Sequence, residues 1–249
     1  MKLYRTEGIV LRSRVMREAD KVLTIYTRDQ GKVRAVAYGI AKPGSRKRGA
    51  AQPFSYSRFL MARGRDLDVV RQCEEIRRTE GLQSNLVTIT CASYICELIE
   101  LVTPDEEPDR ELFKLLCQAL DEIPKTKNRE LLLRAFEARV LNRVGYQLHL
   151  DDCVICRKDP GGSQVVISPR EGGLLCPTCR KKDPDGIPCR MGTVRLLERL
   201  FDWPLERVHA LAAGAETRQE LNTLLNACIC YYLERKPKAL AFLQKLGEI

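Results

Sequence analysis

The sequence predicts a multidomain α+β protein, in which an N-terminal five-stranded OB-fold barrel precedes an all-helical domain that carries an inserted four-cysteine zinc ribbon. Three observations predict this fold class. Short apolar segments separated by turn residues fill positions 3–76, apolar residues recur at helical spacing from Leu82 onward, and two Cys-x2-Cys pairs lie between Cys153 and Cys179. The expected boundaries are 1–80 for the barrel, 81–147 and 190–249 for the helical domain, and 148–189 for the zinc insertion.

Five short strands are predicted in the barrel segment. Three are centred on Ile9–Leu11, Val22–Tyr26 and Lys32–Tyr38, and two more, Phe54–Ala62 and Leu67–Ile76, form a hairpin. Five strands in so short a segment favour a small closed barrel. The OB-fold is a five-stranded barrel of this kind that is suited to binding nucleic acid.

The third predicted strand has an alternating pattern. Small apolar residues alternate with Lys32 and Arg34, and the strand ends at Tyr38, which predicts a basic, partly aromatic outward face. Cations that follow a phosphate backbone and a ring that stacks on a base are what a single strand of nucleic acid needs. Tyr38 could equally cap the barrel core. Arg12 and Arg14 share one face of the first strand and extend this track or form a solvated edge.

A basic arm follows the third strand. Residues 39–49 contain three glycines and one proline, and four cations lie within residues 42–48. This composition predicts a loop that wraps phosphate when DNA is bound, with a merely solvated loop as the alternative. The candidate DNA-binding residues are Arg12, Arg14, Lys32, Arg34, Tyr38, Lys42, Arg46, Lys47 and Arg48.

The charge distribution favours a polyanionic partner for the first third of the chain. The formal net charge is +9, and residues 1–80 contain 19 Lys and Arg against 9 Asp and Glu. Residues 81–249 contain 23 against 24, so the whole excess is assigned to the barrel. An excess confined to one segment is typical of nucleic-acid binding.

Helical spacing begins after the barrel. The segment Leu82–Val102 is apolar on nearly every side, which predicts a buried helix. Asp109 caps a second helix that Pro124 stops, and a third begins at Asn128 and ends at Gly145.

Three further helical segments are expected after the zinc insertion. They are Thr193–Phe201, Leu205–Ala213 and a longer helix that a capping box of Thr217 and Glu220 opens and that ends before Pro237.

The two Cys-x2-Cys pairs are separated by nineteen residues, a spacing typical of a structural zinc site. The candidate ligands of one structural Zn²⁺ are Cys153, Cys156, Cys176 and Cys179. Four thiolates close a tetrahedral shell and leave no position for substrate. Four reduced cysteines without metal are the alternative. Cys189 is expected to be a spectator or a replacement ligand. His149 could join the metal shell, and with four thiolates available it is expected to be a packing residue or a neighbour of that shell. The insertion itself is expected to be a two-stranded hairpin ordered by the metal.

Composition and motifs argue against secretion, membrane insertion and catalysis. The eleven cysteines show no disulfide framework and indicate a reducing cytoplasm, and the N-terminus lacks an apolar signal segment. The most apolar helix contains Glu97 and Glu100, so no membrane span is expected. His149 and His209 are the only histidines, and no phosphate-binding glycine loop is present.

The sequence resembles the bacterial RecO family of recombination-repair mediators. The resemblance is carried, in family order, by residues 7–12 (EGIVLR), 19–24 (ADKVLT), 31–37 (GKVRAVA), 52–54 (QPF), 97–98 (EL), 145–146 (GY), and by the two cysteine pairs with Gly172-Gly173-Leu174-Leu175 before the second.

The resemblance implies an N-terminal OB-fold, a helical C-terminal domain and a zinc site. It also implies binding of single- and double-stranded DNA, annealing of complementary strands, partnership with RecR, contact with the C-terminal tail of single-stranded DNA-binding protein, and indirect action on RecA in the nucleoid. A zinc-ribbon transcription regulator and a zinc-dependent nuclease are the alternatives. The first would read base edges, and the second would need an open metal with nearby carboxylates.

Overall fold

A closed barrel of five strands forms the N-terminal part of the chain. The computed structural model describes residues 2–42, 45 and 47–246. The strands are β1 (Leu3–Arg17), β2 (Asp20–Thr27), β3 (Gly31–Ala37), β4 (Tyr56–Ala62) and β5 (Asp68–Arg77). Their order around the barrel is β1-β2-β3-β5-β4, with a parallel β3–β5 pair and antiparallel pairs elsewhere. The predicted five-stranded OB-fold is confirmed.

The barrel interior is filled by apolar side chains that alternate along the strands. The fully or nearly fully buried members include Val10, Leu23, Ile25, Val33, Ala35, Phe59, Met61 and Val70. These are the inward positions that a period of two predicts. The outward positions of β3 depart from that pattern, because Val36 is also buried.

Gly31 allows the start of β3 to lie close to the backbone of residues 105–107. Its φ of +68° lies in the left-handed region, and an added Cβ would come within 2.4 Å of the Glu107 backbone. The amide of Glu106 donates to the carbonyl of Lys32 at 3.0 Å, and Lys32 pairs with Asp105 in an isolated bridge. Residues 105–107 therefore run alongside the start of β3.

Two helices complete the first of two compact units, which spans residues 1–124. They are α1 (Leu86–Val102) and α2 (Arg110–Glu122). The α1 helix begins four residues later than predicted because the Asn85 side chain caps it by accepting from the Thr88 amide. Asp109 caps α2 as expected. Independent folding of residues 1–80 without these helices stays a prediction.

The second compact unit spans residues 125–249 and contains helices around a small sheet. The elements are α3 (Arg129–Arg143), β6 (Gln164–Ser168), β7 (Gly173–Leu175), β8 (Ile187–Arg190), α4 (Met191–Asp202), α5 (Ala215–Leu233) and α6 (Lys238–Lys245), with 3₁₀ turns at Cys179–Lys182 and Leu205–Ala210. Asn128 caps α3, as its sequence predicts. No helix among the described residues combines the length and apolarity needed to cross a bilayer.

Two local predictions for this unit are wrong, and one helix was not predicted. The sheet of the insertion has three strands in the order β7-β6-β8, because Ile187–Arg190 adds to β6. The expected helix Leu205–Ala213 is a shorter 3₁₀ turn. The α6 helix after Pro237 was not expected at all.

The predicted capping box is also wrong, because α5 begins at Ala215 after Gly214. The Glu220 carboxylate accepts instead from the Arg190 amide at 3.0 Å and from the Thr193 hydroxyl. These hydrogen bonds outweigh the effect of partial burial, which would raise the pKa of Glu220, and hold that pKa below its usual value. Glu220 thus links α5 to the junction of β8 and α4.

Candidate nucleic-acid interface and metal centre

Lys32 does not lie free on the outer face of β3. Its Nζ donates to the carbonyl oxygens of Glu100 at 2.8 Å and Thr103 at 2.5 Å, and lies 3.4 Å from a carboxylate oxygen of Asp105. The side chain is only 13% exposed. Lys32 therefore satisfies carbonyl groups at the C-terminal end of α1, which has no basic residue of its own in its last turn.

Arg34 is the exposed cation of β3. Its side chain is 57% exposed, and Nη2 lies 3.6 Å from the second carboxylate oxygen of Asp105. An ion pair at this exposure is weak and exchanges readily with a phosphate. Arg34 is therefore available to an anionic ligand in a way that Lys32 is not.

Acidic residues at the end of α1 and just after it neutralise several barrel cations. Arg12 lies 3.2 Å from the Glu100 carboxylate, and Arg63 lies 2.6 Å from that of Glu106. Residues 81–124 contain only 2 Lys and Arg against 9 Asp and Glu. The excess charge assigned to the barrel is thus partly balanced inside its own compact unit.

The second unit carries a positive net charge, although residues 81–249 taken together are nearly neutral. Residues 125–249 contain 21 Lys and Arg against 15 Asp and Glu, a balance of +6. The net negative charge of residues 81–124 cancels this excess when the net charge is summed over residues 81–249. Positive charge is therefore present in both compact units.

One end of the barrel carries several cations that do not take part in these ion pairs. Lys21 pairs with Ala37 in the β2–β3 ladder, so Tyr38 follows directly beside the β1–β2 turn. The Gly39 amide donates to the Asp20 carboxylate at 2.8 Å, and the Ala41 amide donates to the Ala19 carbonyl at 3.0 Å. These bonds hold the segment that follows β3 against the β1–β2 turn. We call the hairpin end (residues 14–21), Tyr38 and Lys42 together the cationic end of the barrel.

The side chains at the cationic end are accessible. Tyr38 is 54% exposed, so it does not cap the core. Arg14, Arg17 and Lys42 are exposed, as is Arg48 farther along the arm. Within residues 2–42, 45 and 47–246, none of these four cations forms an ion pair.

The basic arm returns to the barrel wall at its far end. The Cys73 thiol lies 3.7 Å from the Lys47 carbonyl, and the Ser55 hydroxyl donates to the Gly49 carbonyl at 3.0 Å. Lys47 is half-buried there. Arg46, also predicted to bind DNA, lies outside the described residues.

The four predicted metal ligands lie together. The Sγ atoms of Cys153, Cys156, Cys176 and Cys179 are all within 4.8 Å of one another. Those of Cys156 and Cys176 are 3.7 Å apart, which matches the ~3.8 Å edge of a tetrahedron with metal–sulfur bonds of about 2.3 Å. Three of the thiols are buried and Cys156 is exposed. This geometry can hold one metal ion.

Backbone amides favour thiolates in this cluster. Burial alone would raise the pKa of Cys153, but hydrogen bonds from the backbone of Cys156, Cys176 and Ile155 outweigh it and lower that pKa to about 6. The backbone of Cys179 likewise lowers the pKa of Cys176. Burial and the neighbouring sulfurs raise the pKa of Cys179 to about 12. The local environment thus favours the thiolate at Cys153 and Cys176 and the thiol at Cys179.

Two other candidate ligands stand apart from the thiol cluster. Cys189 is buried on β8 opposite Val165, where burial raises its pKa to about 12. His149 Nε2 lies 2.6 Å from the Asp152 carboxylate and 3.0 Å from Arg157. The backbone of His149 also bonds to Gly172 and Leu174, beside the second cysteine pair. His149 thus supports the segment that enters the metal centre.

Sequence inspection missed two features of the barrel site. Asp105 and Glu100 compete with DNA for cations of the predicted track. The only sequence signal for Asp105 is that four of the five residues 105–109 are acidic, and no signal points to Glu100. Arg17 and Lys21 join Arg14 because the β1–β2 hairpin is longer than predicted. In the sequence, Val15 follows Arg14 and Val22 follows Lys21, and this alternation of cation and valine is compatible with longer strands.

Comparison with known proteins identifies the family. The profile described as Recombination protein O N terminal matches residues 1–78, and the profile described as Recombination protein O C terminal matches residues 83–241. A DNA repair protein RecO of Desulforudis audaxviator is 44% identical and aligns over 99% of this chain and 98% of its own length. RecO proteins of Pelotomaculum thermopropionicum and Desulforamulus reducens are each 40% identical, over 100% and 99% of this chain and 96% of their own lengths. The chain therefore belongs to the RecO family of DNA repair and recombination proteins.

Proposed function

We propose that this protein is a non-catalytic mediator that binds single- and double-stranded DNA without sequence specificity and anneals complementary strands. The observation that carries the proposal is the cationic end of the barrel, where the exposed Tyr38 follows the Lys21–Ala37 pair and lies beside a hairpin end whose exposed cations are outside ion pairs. Cations that neutralise phosphates supply most of the affinity by releasing counterions, and this contribution does not depend on base sequence.

The strand would be held at the cationic end and along the exposed part of β3. Arg14, Lys42, Arg48 and Arg34 contact phosphates, and Tyr38 stacks on a base. We assign Lys32 a supporting role, because phosphate would have to displace two carbonyl oxygens and a carboxylate. Arg12 is available only after its ion pair with Glu100 opens.

Annealing follows from the same charges. Two complementary strands repel each other through their phosphates, and a protein that neutralises several phosphates lowers that repulsion. The positive balance of residues 125–249 offers a second region that attracts DNA. Stacking on Tyr38 is sequence-tolerant because every base has a π face, which suits a protein that pairs arbitrary strands.

We further propose that the protein acts with RecR, contacts the C-terminal tail of single-stranded DNA-binding protein, and so helps to load RecA on coated single strands. These partners come from the family to which the chain belongs. A cytoplasmic location at the nucleoid accompanies this role.

The four-thiol cluster is proposed to hold one structural Zn²⁺. Cys153, Cys156, Cys176 and Cys179 form a closed, sulfur-only donor set, which zinc prefers in structural sites. The bound ion would supply negative-charge neutralisation and order the segment between the two cysteine pairs, with no open position for catalysis.

Equilibrium binding tests the DNA-binding part of the proposal. Fluorescence anisotropy with labelled single strands and duplexes, measured over a range of salt concentrations, should give a linear decrease of log affinity with log salt. Random and defined competitors should be equally effective. A large preference for one duplex would favour a transcription regulator. Cleavage of labelled strands after addition of metal would favour a nuclease.

A further inference from the structure

The hairpin end of the barrel carries two exposed apolar side chains that the fold does not bury. Val15 is 75% exposed and Met16 is 39% exposed. They are adjacent in β1, close to the turn into β2. Scattered single apolar residues on a surface are ordinary, but a neighbouring pair at the tip of a hairpin is a local feature that packing of the barrel does not explain.

The hairpin end extends past the strands that close the barrel. β4 pairs with β1 only from Leu3 to Ile9, and β3 pairs with β2 only from Lys21 onward. The last residues of the hairpin are therefore held by the β1–β2 ladder, which continues to the pair of Arg17 and Asp20. The two bonds from Gly39 and Ala41 to the turn hold this tip in place.

A bulge presents the apolar pair at the tip. Val15 pairs with Lys21 and Arg17 pairs with Asp20, so Met16 has no partner on β2. An extra residue of this kind bends the strand and re-aims the side chains next to it. The side chains of Val15 and Met16 are therefore exposed at the bulge, where regular strand pairing is interrupted.

Cations flank the apolar pair along β1 and across the ladder. Arg14 and Arg17 are exposed on either side of it, and Lys21 lies opposite Val15. Among residues of known placement, none forms an ion pair with these three. An apolar tip between cations matches the chemistry of a nucleic-acid duplex, in which an apolar base stack lies between two phosphate backbones. A partner protein with an acidic rim is the competing occupant.

We infer that Val15 and Met16 form a wedge that enters a base step of duplex DNA and unstacks it while Arg14, Arg17 and Lys21 hold the flanking phosphates. Apolar side chains, methionine among them, act in this way when they enter the minor groove in proteins that kink DNA. The inference rests on the proposed DNA-binding function and adds to it a means of loosening a duplex locally. Pyrimidine–purine steps such as TA unstack most readily, so the wedge should favour them.

The test compares unstacking with binding in the full-length protein. A short duplex with 2-aminopurine beside a central TA step is titrated with protein, and its fluorescence reports unstacking while anisotropy reports binding. The wild-type chain is expected to raise the fluorescence as it binds. The double variant Val15→Ser with Met16→Ser should keep the salt slope of binding, because that slope counts neutralised phosphates, and should lose the fluorescence rise.

Two matched variants separate the wedge from its surroundings. Leu3→Ser removes an apolar side chain that is 57% exposed at the opposite end of the same strand, and it should leave both signals unchanged. Arg14→Ala with Arg17→Ala should lower the salt slope by about two and keep the fluorescence rise at saturating protein. Circular dichroism melts check that each variant is folded.

The outcomes distinguish this inference from the proposed function. Salt-dependent binding of the duplex without any fluorescence rise overturns the wedge and leaves the DNA-binding proposal intact, whereas no duplex binding by the wild type overturns both. A serine variant that behaves as the wild type on DNA also overturns the wedge. A folded serine variant that no longer binds DNA contradicts it too, because the apolar pair would then supply affinity instead of unstacking.

Discussion

The ammonium group of Lys32 lies 2.8 Å from the carbonyl oxygen of Glu100, in the last turn of α1. Carbonyl groups at the C-terminal end of a helix lack partners within the helix, and the negative end of the helix dipole attracts a cation. A residue of β3 thus serves as the cap of a helix almost seventy positions later in the chain. Lys32, a basic residue of a strand, therefore has a structural role.

Replacement of Lys32 by alanine should therefore lower stability more than it lowers DNA affinity. The variant loses charge-assisted hydrogen bonds to two carbonyl oxygens, a loss of about 1.5–3 kcal/mol in the free energy of unfolding for a charged donor that is mostly, but not fully, buried. Urea denaturation measures the change, and anisotropy at several salt concentrations measures the salt slope. Arg14→Ala is the matched control, with an unchanged stability and a salt slope lower by about one. The opposite pattern would place Lys32 in the DNA track.

Replacement of Asp105 by asparagine should tighten DNA binding. The Asp105 carboxylate lies 3.6 Å from Arg34 and competes with phosphate for that cation. An exposed ion pair contributes at most about 1 kcal/mol, so the expected gain is about twofold to fivefold in affinity at low salt. Glu80→Gln removes the same charge from an exposed position after β5 and should have little effect. An unchanged affinity for Asp105→Asn would mean that Arg34 does not contact DNA.

Removal of the Tyr38 ring should weaken single-strand binding without unfolding the barrel. Tyr38→Ala is expected to cost about 1–3 kcal/mol of single-strand affinity if the ring stacks on a base. Because the side chain is about half exposed, the midpoint of thermal unfolding should change little. Tyr38→Phe keeps the stacking surface and should bind as the wild type does. A large loss of stability in Tyr38→Ala would show instead that the ring supports the barrel.

The metal centre should hold one zinc ion per chain, bound by four thiolates. Metal analysis of freshly purified protein checks the stoichiometry. Cys176→Ser should lose the ion, and because zinc binding contributes to folding, the segment between the cysteine pairs should become sensitive to protease. Cys189→Ala changes a buried cysteine outside the cluster and should keep the full zinc content. A metal-free wild type would contradict the assignment.

The sequence was sufficient for the barrel and the metal centre because both depend on local rules. Alternation of period two placed Val33 and Ala35 inside the barrel, and the Cys-x2-Cys spacing brought four thiols together. Single residues with a dedicated role were also predictable, as Asp109 and Asn128 show at the first turns of α2 and α3.

The long-range contacts of the same residues could not be predicted. Nothing local to Lys32 indicates that the end of α1 will lie on it, because that contact depends on how the chain returns to the barrel. The predicted capping box of Thr217 and Glu220 is wrong for the same reason, because tertiary packing brings Glu220 into hydrogen-bonding contact with Arg190 and Thr193. The strand β8 was missed because Pro188 argues against a strand, although an edge position tolerates proline.

The rate of strand annealing is the most direct measure of the proposed mediator function. Complementary labelled strands are coated with single-stranded DNA-binding protein, and duplex formation is followed by energy transfer with and without this chain. We predict a rate increase that is similar for unrelated sequences, falls steeply with salt, and is reduced in Arg14→Ala and Tyr38→Ala. An unchanged annealing rate with zinc-loaded, folded protein that binds DNA would rule out the proposed annealing function.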